Sequence, residues 1–279
     1  MTNVKTTIAI ITPAQAAKML EKNAKNRSLR PRRVAAIVRD ISALRWQFNG
    51  DAIRFDAEGW LIDGQHRLEA CVKSGISIKT IVVRGLPNSV RRTIDSGAKR
   101  TIGDRFQIDN VMNANATAAS LSIMSQIANR LDYGTMTSSE ADTALGAHPG
   151  LASSITTCRG AFKMLNSRLA AIHYIGRYIG QPEKADDFIE VWRTGIPCYQ
   201  GDAAHAARER ILRSRGTSGA LAPTVMARLI LHSFNLFLAR KSVRGIKLPD
   251  YYLIRGWDIE AMFNPAAETI AEIEIGAAL

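Results

Sequence analysis

The stretch from Trp60 to Ala70, WLIDGQHRLEA, ends an apolar run in Asp-Gly and then at once carries Gln, His, Arg and Glu. Asp-Gly after a strand is most simply a hairpin turn. The residues beyond Gly64 argue otherwise, because Leu68, Cys71 and Val72 share a helical face and Gly75 stands where that helix would end. Asp63-Gly64 therefore joins a strand to a helix. Upstream, Ala52 to Phe55 and Trp60 to Ile62 read as short strands joined by Asp56-Ala57-Glu58-Gly59, a turn with Gly where positive φ is favoured. Downstream, Lys79 to Arg84, KTIVVR, is β-branched and makes a third strand. The result is a compact strand–loop–helix–strand unit.

Further out, Thr12-Pro13-Ala14-Gln15 combines a capping hydroxyl, Pro at the first helical position and Gln at N3, which starts a helix running to about Asn23. A second helix begins near Pro31, with Val34, Ile37, Val38, Ile41 and Leu44 as its apolar stripe and Arg32, Arg33 and Arg39 on the other face. From Lys18 to Arg45 nine basic residues stand against Glu21 and Asp40. A further helix from about Asn88 leads to Asp95-Ser96-Gly97-Ala98-Lys99-Arg100-Thr101, and Thr101 to Asp104 again resembles a capping box. Beyond about Asn110 the strand signal fades into Ala-rich amphipathic segments, broken near Gly134, Pro149, Gly180, Pro197 and Gly216 to Gly219. The expected class is α+β, with a sheet-bearing domain over 1–110 and a helical domain over 111–279. In the latter, Arg208 to Arg215 is strongly basic, and Thr224 to Arg240 is a long apolar helix, core or interface, which leaves a homodimer open.

The chain has 279 residues, 46% of them apolar, enough for a sizeable core. Its net charge of +12 favours a polyanionic partner, nucleic acid first and an anionic membrane surface second. No apolar run reaches the roughly 20 residues that span a bilayer, and the N-terminus lacks a signal-peptide pattern, so a cytoplasmic protein is expected. Cys71, Cys158 and Cys198 are few and far apart, which argues for reduced packing residues.

A glycine loop entering a helix points unpaired N–H groups outward at the positive end of the helix dipole, which suits an anion. There Arg67 can fork onto phosphate oxygens, and Asp63 can hold Mg²⁺ or accept a proton from an attacking hydroxyl. His66 can act as acid or base or donate to phosphate, and Gln65 can orient substrate or water. The plainer alternative makes Asp63 a helix cap and His66 and Arg67 solvated first-turn residues. The second cluster supplies Ser96, Gly97, Lys99, Arg100 and Thr101 as further phosphate-binding candidates, or else a polar interdomain turn. P-loop, HExxH and GxSxG patterns are absent, and His148, His173, His205 and His232 show no metal-ligand spacing.

The ordered set NRSLRP, NGDAIRFDAEGWLIDGQHRLEA, KTIVVRGLP and IDSGAKRT resembles the ParB/sulfiredoxin superfamily, in particular the ParB-like proteins of phages and mobile elements, over roughly residues 10 to 110. The resemblance implies a small mixed sheet with helices and a nucleotide site at a GxxR loop, here Gly64, Gln65, His66 and Arg67. It also implies a bacterial, phage- or mobile-element-encoded origin. In that superfamily ParB proteins bind and hydrolyse CTP on DNA, sulfiredoxin uses ATP, and a related serine kinase uses ADP. Sulfiredoxin carries its Cys inside the loop, whereas Cys71 lies a turn further on, which argues against sulfinic-acid reduction. The partition pattern has Glu and Arg where this chain has Gln65 and His66.

The leading expectation is an NTP-dependent enzyme acting on or at DNA, by hydrolysis or phosphoryl transfer to a hydroxyl. Its cofactors would be ATP, CTP or another NTP with Mg²⁺ at Asp63, and its catalytic residues Asp63, His66 and Arg67. Gly64 and Gln65 would hold the nucleotide, and Arg27, Arg30, Arg32, Arg33, Arg208, Arg210, Arg213 and Arg215 would meet DNA. The alternatives are a non-catalytic, nucleotide-gated DNA-binding protein and a ParB-like nuclease.

Overall fold

The computed structural model describes residues 4–23, 26–94, 100–130, 136–162, 165–214, 221–248 and 253–263. Among them the fold is α+β, a small mixed four-stranded sheet with twelve α-helices. The chain divides into two compact units, Met1–Lys99 with Gly134–Glu140, and Arg100–Tyr133 with Ala141–Leu279. This division falls before the boundary read at 110, and it assigns a short later segment to the first unit.

In the first unit the order is β1 (Lys5–Ile11), α1 (Pro13–Leu20), α2 (Pro31–Ser42), β2 (Ala52–Asp56), β3 (Leu61–Asp63), α3 (Gln65–Ser74) and β4 (Ile78–Leu86), followed by a 3₁₀ turn, Asn88–Arg92. The sheet order is β1-β4-β2-β3, with β1 antiparallel to β4, β4 parallel to β2, and β2 antiparallel to β3. The sequence reading has three of these strands and overlooks β1, although Thr6, Thr7, Ile8, Ile10 and Ile11 are a β-branched run. Strand β1 is an edge with Ile8 and Ile10 exposed, so it lacks the apolar alternation that marks a half-buried strand.

The capping box at Thr12 forms as expected, with the Thr12 hydroxyl accepting from Gln15 N–H and the Gln15 side chain accepting from Thr12 N–H, but α1 stops at Leu20. The turn before β3 is organised by Asp56, whose Oδ1 accepts N–H bonds from Glu58 at 3.1 Å and Trp60 at 2.7 Å. Helix α3 packs on α1 and α2, burying Leu68, Ala70 and Cys71 with Val34, Ile41, Ile53, Phe55 and Leu61.

The later segment of this unit meets α2 through buried polar contacts. Arg39 Nε donates to Glu140 at 2.7 Å, and the hydroxyls of Thr137 and Ser139 each donate to Asp40 at 2.8 Å. Arg39 is thus no part of a free basic face, and the Glu140 side chain beside it is only 1% exposed.

The second unit is helical: α4 (Ile102–Ile108), α5 (Ala114–Ala128), most of α6 (Ser138–Ala147), α7 (Leu151–Thr157), α8 (Asn166–Tyr178), α9 (Pro182–Thr194), α10 (Ala203–Ser214), α11 (Pro223–Leu238) and α12 (Ile259–Phe263). Thr101 and Asp104 form the second expected capping box at the start of α4. Phe188, Trp192, Phe234 and Phe237 pack edge-on or tilted at the centre of this unit, where α8, α9, α10 and α11 meet. No described helix is long and apolar enough to cross a membrane.

Candidate functional site

Strand β3 delivers Asp63 to the sheet end, and the chain turns at Gly64 with φ +100° into α3. An ideal Cβ on Gly64 would lie 3.0 Å from Ile53 Cγ1 and 3.2 Å from Ile53 Cα, so both the backbone conformation and the space demand glycine. The N–H groups of Arg67 and Leu68 bond back to Gly64 C=O at 3.0 Å, leaving the preceding ones at the helix's positive end.

The first-turn side chains are more fully engaged than solvated residues would be. Gln65 Oε1 accepts from Asn23 Nδ2 at 3.0 Å, and its Nε2 donates to Arg27 C=O at 3.0 Å. His66 Nε2 accepts the backbone N–H of Arg30 at 3.0 Å. With Nε2 an acceptor, the ring proton sits on Nδ1. The ring's pKa is lowered from the ordinary histidine value, by burial first and then by Arg33, Arg27 and Arg30, against an opposing pull from Asp63. His66 is therefore a neutral ring at neutral pH and a donor only through Nδ1.

Asp63 Oδ2 accepts from Arg54 Nη1, and from Arg67 Nη2 at 3.2 Å, while Oδ1 has no hydrogen bond among the described residues. Arg67 Nη2 also donates to Ala52 C=O at 2.8 Å, and its Nη1 is buried without a hydrogen-bond partner among the described residues. A hard dication takes several oxygen ligands, and here one carboxylate faces two guanidinium groups. Among the described residues no cluster of three or more His, Cys, Asp or Glu could hold a metal. In this arrangement the Oδ2 of Asp63 is an ion-pair partner of Arg54 and Arg67.

Arg27, Arg30, Arg32 and Arg33 are all exposed and none forms an ion pair among the described residues. Three of them converge electrostatically on His66. So the backbone at Arg27 and Arg30 is held beside the Gly64–Arg67 loop by Gln65 and His66. The sequence reading missed this latch. Its signal lay in the asparagines of KNAKNR, since Asn26 Nδ2 donates to Asn23 Oδ1 at 2.6 Å and to Leu61 C=O at 2.7 Å.

Of the second phosphate-binding cluster, Ser96, Gly97 and Lys99 lie outside the described residues. Arg100 is exposed, and the Thr101 hydroxyl accepts from Asp104 N–H at 3.1 Å, which engages it in capping. The second basic stretch splits. Arg208 turns inward, donating from Nε to Trp192 C=O at 3.1 Å and from Nη1 to Glu209 at 3.0 Å, which engages it in packing. Arg210 and Arg213 line an open cleft with Arg244, and Arg215 lies outside the described residues.

Among the scattered histidines, His173 sits between Ser154 Oγ at 2.8 Å and Asp186 Oδ1 at 2.6 Å. Ser154 and His173 are each 1% exposed, so no acyl group reaches the hydroxyl and the line of groups serves packing. Compared with known proteins, the chain matches no family model, no curated protein and no solved structure.

Proposed function

We propose that this chain is a nucleotide-gated DNA-binding protein, which seats a nucleotide's phosphates at the start of α3 and meets DNA with the adjoining arginines. The observation that carries this reading is the tie between the first turn of α3 and the arginine-bearing segment, in which Gln65 Nε2 donates to Arg27 C=O and His66 Nε2 accepts from Arg30 N–H, each at 3.0 Å. A helix N-terminus, an Nδ1–H donor and three guanidinium groups without a described ion pair together make an anion site. The resemblance to the ParB/sulfiredoxin superfamily and the net charge of +12 support the same reading.

The gate is formed by Asn23 together with the segment from Asn26 to Arg30. It is tied to α3 by Gln65 and His66, and it carries cations that would serve either partner. A phosphate drawn onto the helix end competes for Arg27 and Arg30, so nucleotide occupancy changes the charge offered to DNA. Because Gln65 and the Nε2 of His66 are already engaged in this latch, gating fits them better than orienting water or relaying a proton.

A second reading, turnover of the nucleotide, is favoured by the Oδ1 of Asp63, which no described residue engages and which would be left to accept a proton from an attacking hydroxyl. Purified full-length chain, titrated with CTP, ATP, GTP and ADP with and without Mg²⁺ and duplex DNA, tests both. Gating expects nucleotide binding lost in Arg33→Ala and Arg67→Ala and a nucleotide-dependent DNA affinity. Turnover expects phosphate release abolished by Asp63→Asn. If none of the four nucleotides binds, both readings fail.

A further inference from the structure

We propose that the cleft of the helical unit is a binding site for single-stranded DNA, with phosphates held on Arg210, Arg213 and Arg244 and a base against Tyr199. The cleft has a volume of about 810 Å³ and is walled by α10, the Pro197–Asp202 loop and the 243–246 segment. That size suits one or two nucleotide units.

The walls are fixed by specific contacts. Gly201, at φ +79°, lets the backbone of Val243 come close enough that a Cβ would lie 3.0 Å from Val243 N and 3.1 Å from its O. Val243 N–H then donates to Gly201 C=O at 2.8 Å, and Ser242 Oγ donates to Gln200 C=O at 2.8 Å. Across the cleft, Arg210 Nη1 donates to Ile246 C=O, which pins its guanidinium in the wall. Asp202 holds the corner where α10 begins, accepting N–H bonds from Cys198 at 2.9 Å and Ala204 at 2.7 Å.

Charge then decides the ligand. Of the two acidic residues in the walls, Asp202 is 3% exposed and saturated by backbone donors, and Glu209 is paired with Arg208. Among the described residues, Arg210, Arg213 and Arg244 face no carboxylate, so the cleft is net positive. Tyr199 lines it while its ring leans on Phe237, centroids 5.9 Å apart, which holds the aromatic in place. Guanidinium groups beside a fixed aromatic in a concave site suit unstacked nucleotides, because a paired base in a duplex presents no free face to stack.

The partner class rests on the proposed action at DNA, whereas the location rests on the cleft alone. The test uses the full chain without nucleotide, a labelled oligothymidylate of about 20 nucleotides and a duplex of equal length, measured across a salt series. Arg213→Glu and Arg244→Glu, both at exposed positions, are expected each to weaken single-strand binding about tenfold and to flatten the salt slope by about 0.7. Tyr199→Phe should bind as the parent does and Tyr199→Ala about tenfold more weakly. Lys73→Glu, an exposed charge reversal in the other unit, is the control for net charge and should have a small effect.

Cleft reversals that weaken duplex binding as much as single-strand binding overturn the assignment. So do cleft reversals no stronger than Lys73→Glu, an outcome that leaves action at DNA standing if DNA still binds. Absence of single-strand binding overturns the cleft assignment alone, because the gated reading is decided by the titration with nucleotide present.

Discussion

Replacing Gly64 with Ala separates two demands that the strand-to-helix loop makes at once. The first is conformational, since an L-residue at positive φ costs about 1 kcal/mol. The second is steric: the new Cβ would sit 3.0 Å from Ile53 Cγ1 and 3.2 Å from Ile53 Cα. The side-chain atom can yield, but the Cα belongs to β2 at the middle of the sheet, and overpacking of that kind costs about 1–3 kcal/mol more. Gly75 at the other end of α3 is the internal reference, with φ +69° and open space within 4 Å of where a Cβ would lie. Gly75→Ala therefore carries the conformational cost alone, and the unfolded-state entropy change is common to both variants and cancels. Hydrogen exchange read on the α3 amides is expected to show Gly64→Ala about ten- to a hundredfold less protected than Gly75→Ala. Equal protection within a factor of about two would refute the close packing of this loop on β2.

Three further outcomes are expected. His148 is 1% exposed, and burial lowers its pKa from 6.5 to about 4 against the opposing bond to Met262 C=O. The unfolded chain then binds more protons between those values, so stability is complete above about pH 6.5 and falls by about 3 kcal/mol as pH drops to about 4. Urea unfolding of the parent and His148→Gln should diverge at neutral pH and converge in acid, and parallel profiles would sink the idea. Arg39→Met leaves the buried Glu140 carboxylate with weaker partners and should cost about 3 kcal/mol; an unchanged urea midpoint would count against the pair. Cys198 is the exposed thiol and Cys71 and Cys158 are buried, the latter pushed up to about 12. A thiol reagent should therefore count one cysteine in the native protein and three in denaturant.

What the sequence determined by itself was local. Capping boxes at Thr12 and Thr101, the turn at Asp56–Gly59 and the glycine ends of α3 follow from side chains that satisfy their own backbone within four residues, and each was legible in order. Strand β1 escaped because Ile8 and Ile10 put apolar residues on its exposed face opposite Ala9 and Ile11 on the core side, so its sequence does not alternate. At the candidate site, the Gly64–Arg67 loop was legible as a place, but the partners of its side chains were not. Gln65 and His66 reach residues about forty positions earlier, and Asp63 meets Arg54 across a strand pair. The same limit separates Arg208 from Arg210 and Arg213, three neighbours on one helix that face different surroundings. Helical periodicity places such residues around an axis, and only the packing of the other helices decides which of those directions is solvent.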